Sequence, residues 1–264
     1  MSTSGDPLPP QPAPPRPWPL APEPEPLFGL GEVFFVFLAA LVAVIVCSAF
    51  ALAIAHHLPS LRHARTADLA DNPLVLLPAQ LVAYLLIFAL LWRLFTRYFR
   101  IGFFRALLWR WPPRWLRFLA AGALLGLAIQ FVSNWLPSPP ELPIDEMLRT
   151  PSDAWSMTVF GVLIAPFAEE VLFRGLLFPA LARHTGALLS LLLTALFFGA
   201  VHSAQLAGAW SQIACIALVG LVLTAVRWRF HSLASSTLVH VGYNGVLFAM
   251  LFFQTHGFTQ LPAK

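Results

Sequence analysis

Residues 33–55 read VFFVFLAALVAVIVCSAFALAIA and contain no charged side chain. At a rise of about 1.5 Å per residue, an α-helix of this length crosses the roughly 30 Å hydrocarbon core of a bilayer. The whole chain has the same character, because 58% of its 264 residues are hydrophobic and only 11% are charged. Soluble domains carry about a quarter of their residues as charged side chains, so the sequence predicts that lipid is the main solvent of this protein.

Six further apolar runs follow the first, and each is long enough to be a membrane span. We therefore predict an all-α, polytopic transmembrane bundle of about seven spans, in which residues 28–264 form one domain. Residues 1–27 are proline-rich and polar, which is typical of a disordered tail and not of a signal peptide. The predicted spans cover residues 33–55, 73–92, 118–135, 154–182, 185–201, 204–226 and 232–255.

The segment between the second and third spans is rich in arginine. Residues 93–115 read RLFTRYFRIGFFRALLWRWPPRW, in which arginines alternate with aromatic side chains. This pattern predicts an amphipathic helix at the membrane interface, with its guanidinium groups near lipid phosphates. Because arginines concentrate on the cytoplasmic side of membrane proteins, we expect a multi-pass protein of the cell membrane whose N-terminus is cytoplasmic.

The basic residues and the cysteines exclude two classes of function. The arginines form no soluble basic patch, so the expected partner is the lipid bilayer and not a nucleic acid. Cys47 and Cys215 both lie inside apolar runs. Two cysteines in such positions provide neither a disulfide framework nor a cysteine metal site.

Charged side chains interrupt the fourth predicted span. Glu169, Glu170 and Arg174 lie well inside it, although an ionisable group near the bilayer centre costs at least about 2.5–3.5 kcal/mol. Glu170 and Arg174 are four residues apart and share a helix face, which favours an ion pair. Adjacent residues point about 100° apart around a helix, so Glu169 is left free to act on another group.

The last spans contain three more polar residues. His202 lies at the far end of the fifth predicted span, and His240 and Asn244 lie one turn apart in the last. A structural interpretation exists for each, because buried histidines and asparagines also pack and join neighbouring helices. That interpretation provides no partner for Glu169. Pro166, one turn before Glu169, removes a backbone hydrogen bond and is expected to open the helix there.

These residues resemble the motifs of the CAAX prenyl protease type II family, also called the CPBP intramembrane proteases. Their order, their spacing and their placement on three polar-bearing spans agree with that family. The resemblance covers about residues 154–255, which form a protease-like core. Three motifs carry it: EEVLFR at residues 169–174 (EExxxR), Phe198 with His202 (FxxxH) and His240 with Asn244 (HxxxN).

The resemblance implies an endopeptidase whose active site lies in a cavity within the membrane. Its implied partner is a peptide or protein substrate, such as a membrane-anchored one. Donors aimed at a developing oxyanion are the largest expected catalytic contribution, at about 3–4 kcal/mol for one donor. By resemblance we expect six catalytic residues: Glu169 and His202 to activate water, His240 and Asn244 to bind the oxyanion, and Glu170 and Arg174 to hold the site in shape.

The same residue types also suit a metal. Glu169, His202 and His240 are ligand types of a catalytic zinc, which keeps water in its fourth position. The chain has no HExxH motif, and the family has been described both as metalloproteases and as metal-independent glutamate proteases. We expect a metal-independent enzyme without a cofactor, with zinc on these three residues as the alternative.

Two other functions remain open at this point. Intramembrane glutamate–histidine sets also mark ion pathways, so an ion- or proton-coupled transporter is one of them. The inverted repeats and paired broken helices of many transporters are not evident in the sequence. The second is a non-catalytic membrane scaffold or immunity protein on the same fold.

Overall fold

The structure is a computed structural model that describes residues 28–59, 61–137, 139 and 147–261, so the predicted tail at 1–27 lies outside the described residues. Six described helices are long and apolar enough to cross a membrane, and one further apolar helix is shorter. The predicted helical membrane bundle is therefore confirmed. The helices are α1 (Leu30–His57), α2 (Thr66–Ala70), α3 (Pro73–Tyr98), α4 (Phe103–Ala106), α5 (Trp115–Ser133), α6 (Pro151–Thr185), α7 (Ala187–Val201), α8 (Trp210–Phe230) and α9 (Leu233–Gln254).

The arginine-rich segment after α3 is not one continuous helix. Arg100 has a φ of 54° just after α3, and Leu108 has a φ of 52° just after α4. Residues in the left-handed region end a helix, so the predicted interfacial helix is divided into short pieces. The N–H of Leu233 donates to the Leu108 carbonyl at 3.1 Å, and the buried side chains of Leu107 and Leu233 share one core cluster. The segment is thus folded onto the start of α9.

The sixth predicted span also differs from the structure at its start. Helix α8 begins at Trp210 and not at residue 204, because Ala204–Leu206 forms only a single 3₁₀ turn. Ala207 and Gly208 then have φ angles of 48° and 72°, which turn the chain before α8. Apolar composition predicted a longer span here because hydrophobicity alone does not reveal a left-handed turn.

Helices α5 and α9 approach each other closely at two glycines. A Cβ atom on Gly122 of α5 would overlap the carbonyl oxygen of Val239, and one on Gly242 of α9 would overlap that of Leu119. Small residues at such crossings let membrane helices pack backbone to backbone. This contact fixes the position of His240, which follows Val239 on α9.

Helix α6 contains a π-helical segment directly before a proline. In Phe160–Ile164 the hydrogen bonds are shifted by one residue, so that the N–H of Ala165 donates to the Phe160 carbonyl. The next carbonyl in this pattern belongs to Gly161, and its donor would be Pro166, which has no N–H. The helix is thus opened one turn before Glu169, as the proline predicted.

A second π-helical segment, Val171–Leu177, follows the glutamates and precedes Pro179 in the same way. The stretch Ala165–Glu170 between the two segments is regular α-helix. Glu169 and Glu170 therefore end a short α-helical stretch with a widened turn on either side. Such π-helical insertions are frequent at functional sites.

Candidate active site

The buried centre of the site is the ion pair predicted from the four-residue spacing. Arg174 Nη1 donates to Glu170 Oε1 at 3.0 Å, and both side chains are 0% exposed. The guanidinium also donates to the Gly220 carbonyl at 2.8 Å and to the Thr224 hydroxyl at 3.2 Å, both on α8. Its carbon atom lies 4.3 Å from the centre of the Phe198 ring on α7. Arg174 therefore joins α6 to α7 and α8.

Glu169 faces a different environment from that of its neighbour. Its carboxylate lies between two imidazole rings, with Oε1 4.0 Å from His202 Nε2 and Oε2 3.7 Å from His240 Nε2. The Glu169 side chain is 21% exposed. These distances exceed that of a direct hydrogen bond, so Glu169 is not hydrogen-bonded to either imidazole.

The two histidines are held through their Nδ1 atoms. His202 Nδ1 lies 2.7 Å from the Phe198 carbonyl, and His240 Nδ1 lies 3.2 Å from Glu170 Oε1. A carbonyl and a carboxylate accept hydrogen bonds, so each Nδ1 carries the proton. In the neutral rings, Nε2 is then the acceptor, and both Nε2 atoms face Glu169.

Asn244 is held by the carbonyl group that the proline of α6 leaves without a donor. Its Nδ2 donates to the Gly161 carbonyl at 2.6 Å, across 83 positions of sequence. One amide hydrogen of Asn244 thus joins α9 to the π-helical segment of α6. An asparagine amide has two hydrogens, and Asn244 lines the cavity, so its second hydrogen can donate to another acceptor.

One cavity of about 270 Å³ brings together four of the six predicted residues. Glu169, His202, His240 and Asn244 line it, whereas Glu170 and Arg174 are buried beside it. The cavity also contains polar residues that the sequence reasoning missed. Gln80 is one of them, and an amide inside an otherwise apolar span was a signal that could have identified it. The other missed polar lining residues are Gln205 and Tyr243.

Three residues that line the cavity carry donor atoms of the kinds that bind metals. The residue types of Glu169, His202 and His240 suit zinc. Among the residues that the structure describes, however, no group of three His, Cys, Asp or Glu side chains is arranged to hold a metal ion.

A comparison with models of known protein families found a match that covers part of the chain. Residues 151–246 match the family model described as type II CAAX prenyl endopeptidase, Rce1-like. This region runs from the start of α6 into α9 and includes all six predicted residues. No curated protein and no solved structure gives a significant match to the chain. The family match thus covers residues 151–246 of this multi-pass membrane protein, and that region is similar to the Rce1-like type II CAAX prenyl endopeptidases.

Proposed function

We propose that this protein is an intramembrane endopeptidase that hydrolyses a peptide bond with a water molecule activated by Glu169 and His202. One observation carries the proposal: the Glu169 carboxylate faces the Nε2 atoms of His202 and His240 inside a single cavity among membrane-spanning helices. The substrate is a peptide or protein that reaches this cavity from the bilayer. The family match supports an endopeptidase of the CAAX type.

The separation of the two acceptors suits one bridging water. Glu169 Oε1 and His202 Nε2 are 4.0 Å apart. A water that donates one hydrogen to each acceptor at roughly 2.8 Å holds them about 4.4 Å apart, which is close to that distance. The water oxygen then attacks the scissile carbonyl carbon while its proton moves to Glu169. When the C–N bond breaks, Glu169 returns this proton to the leaving amine.

The oxyanion of the tetrahedral intermediate binds to donors on α9. Asn244 offers its second amide hydrogen, because the first is bound to Gly161. His240 already donates Nδ1–H to Glu170, so it donates from Nε2 only as the doubly protonated imidazolium. Glu170 and Arg174 act through His240 by holding its ring in place, and no metal takes part.

A cleavage assay tests this function. The purified protein in lipid nanodiscs is given a farnesylated peptide that ends in a CAAX sequence, and the products are identified by mass spectrometry. We expect cleavage by the unmodified protein and by Glu32→Gln, since Glu32 is an exposed glutamate at the start of α1. Glu169→Gln should cleave nothing. Equal cleavage by Glu169→Gln, or none by the unmodified protein across a panel of CAAX peptides, would refute the proposal.

We further propose that the protein lies in the cell membrane with its N-terminus in the cytoplasm. In a variant with Cys47 and Cys215 replaced, single cysteines are introduced as Arg105→Cys and His63→Cys, both at exposed positions. An impermeant thiol reagent applied to intact cells should label the second and not the first. The reverse labelling pattern would show the opposite orientation.

A further inference from the structure

Gln80 is a polar residue of the cavity that the mechanism above does not use. It lies on α3, outside the region that matches the family, and it lines the same cavity as Glu169 and His202. An amide inside a membrane span is unfavourable unless its hydrogen-bonding groups have partners. The partners of Gln80 therefore indicate what the residue does.

Within the described residues, Gln80 makes one hydrogen bond, from Nε2 to the Tyr84 hydroxyl at 2.7 Å. Tyr84 is one turn further along the same helix, so this bond does not join α3 to another helix. The carbonyl oxygen of the amide and its second hydrogen have no partner among the described residues. These two groups are available to a molecule in the cavity.

The orientation of the Gln80 amide is fixed through Tyr84. The Tyr84 ring stacks on Phe160, with centroids 5.9 Å apart and planes inclined by 23°. Phe160 begins the π-helical segment whose Gly161 carbonyl accepts from Asn244. The amide of Gln80 thus contacts, through Tyr84 and Phe160, the same π-helical segment that binds Asn244. A preorganised amide loses little freedom when it binds a ligand.

We propose that Gln80 binds the main chain of the substrate, next to the bond that is cut. A peptide unit offers one N–H and one carbonyl, and an amide side chain matches both with its own carbonyl and N–H. Such pairing is independent of the substrate side chains. This inference rests on the proposed endopeptidase function, which places a peptide in the cavity.

Kinetics of Gln80→Leu in nanodiscs test the inference with the same farnesylated CAAX peptide. Loss of one hydrogen bond should lower kcat/KM roughly 3- to 10-fold. The change should be mainly in KM, because Gln80 is proposed to bind the main chain equally well in the substrate and in the transition state. Gln130→Leu is the matched control, since Gln130 also donates to a residue one turn later but does not line the cavity. It should keep the full rate. Tyr84→Phe removes only the orienting hydroxyl and should have a smaller effect.

Backbone-modified substrates separate direct binding from a structural effect. In a set of peptides, each amide near the cleavage site is replaced in turn by an ester. Replacement of the amide that Gln80 binds should lower the kcat/KM of the unmodified protein by about the same factor as the substitution Gln80→Leu. The same replacement should not lower the kcat/KM of the Gln80→Leu variant further. If every replacement slows both proteins by the same factor, Gln80 does not contact the main chain and the inference is wrong.

A binding measurement distinguishes failure of this inference from failure of the proposed function. The farnesylated peptide carries a fluorophore, and its Kd is measured with Glu169→Gln and with the double variant Glu169→Gln/Gln80→Leu. A roughly 3- to 10-fold weaker Kd in the double variant supports the role of Gln80 even if no protein cleaves the peptide. Equal Kd values, or no binding to either variant, overturn it.

Discussion

Glu169 and Glu170 are adjacent in sequence but lie in two different regions of the molecule. Glu170 is 0% exposed and is bound by Arg174 and His240. Glu169 is 21% exposed, faces the cavity, and has no partner closer than 3.7 Å among its two neighbouring imidazoles. The first environment is buried and contains an ion pair, and the second is open to a ligand.

This difference follows from the helical geometry and from what packs against each face. A step of about 100° directs the two carboxylates to different neighbours. Glu170 points to the side where α8 supplies Gly220 and Thr224 to its arginine partner, whereas Glu169 points to the side where the helices leave space. We expect the buried ion pair to stabilise the fold and the carboxylate beside the cavity to take part in the proposed reaction. Substitutions on the two sides should therefore have different consequences.

The largest expected effect is on stability, at the closed side. Arg174→Met leaves the Glu170 carboxylate buried without its cation, and removal of one partner of a buried pair costs roughly 3–5 kcal/mol. The free energy of unfolding, measured by denaturant titration in detergent micelles, should fall by that amount. Activity should fall with it, because His240 is held by Glu170.

The matched control is Arg65→Met, which breaks a second arginine–carboxylate pair. Arg65 binds Asp68 at 2.8 Å with side-chain exposures of 83% and 42%. Water replaces the partner of an exposed ion pair, so this substitution should leave the unfolding transition unchanged. If both variants lost the same free energy of unfolding, burial would not explain the contribution of the Arg174 pair to stability.

A smaller and different effect is expected at Asn244, on the open side. Asn244→Ala removes an oxyanion donor, and such a loss reduces kcat by about 10²–10³-fold. Asn134→Ala is the control, because Asn134 makes its side-chain hydrogen bond as acceptor from Gln130, one turn away, and does not line the cavity. Its kcat should stay within a factor of two. If Asn244→Ala lowered kcat by less than tenfold, Asn244 would have only a structural role, through its hydrogen bond to Gly161.

The sequence predicted the membrane-spanning helices and four polar residues that line the cavity, but not how those residues are connected. Hydrophobic runs located the helices because a bilayer requires about 20 apolar residues for each span. The Glu170–Arg174 pair was predictable because it depends only on spacing within one helix. Local patterns of this kind are contained in a short stretch of sequence.

Contacts between distant helices were not predictable in the same way. The bond from Asn244 to Gly161 joins residues 83 positions apart, and it exists because Pro166 and a π-helical segment leave one carbonyl without a donor. Gln80 was overlooked because its place in the cavity depends on α3 packing beside α6. The start of α8 was misplaced because the turn at Ala207 has an apolar sequence.

The smallest expected effect concerns metal. If Glu169 and His202 activate water without a cofactor, exhaustive chelation should leave the rate unchanged, and elemental analysis should find no stoichiometric zinc. The Nε2 atom of His202 then accepts a hydrogen bond from the water, and the protonated Nε2 of His240 donates to the oxyanion. One zinc per chain that is lost with activity on chelation, and regained with it on zinc addition, would replace this account with a zinc site.

The central claim is that Glu169 is the base and Glu170 is structural, and one paired measurement tests it most directly. Glu169→Gln and Glu170→Gln are purified side by side, and each preparation is assayed both for peptide hydrolysis and for its free energy of unfolding. Glu169→Gln should lose at least about 10²-fold in rate while its stability changes by less than about 0.5 kcal/mol. Glu170→Gln should lose roughly 3–5 kcal/mol of stability because it leaves Arg174 buried and unpaired. Equal stability of the two variants, or full activity of Glu169→Gln, would contradict the account.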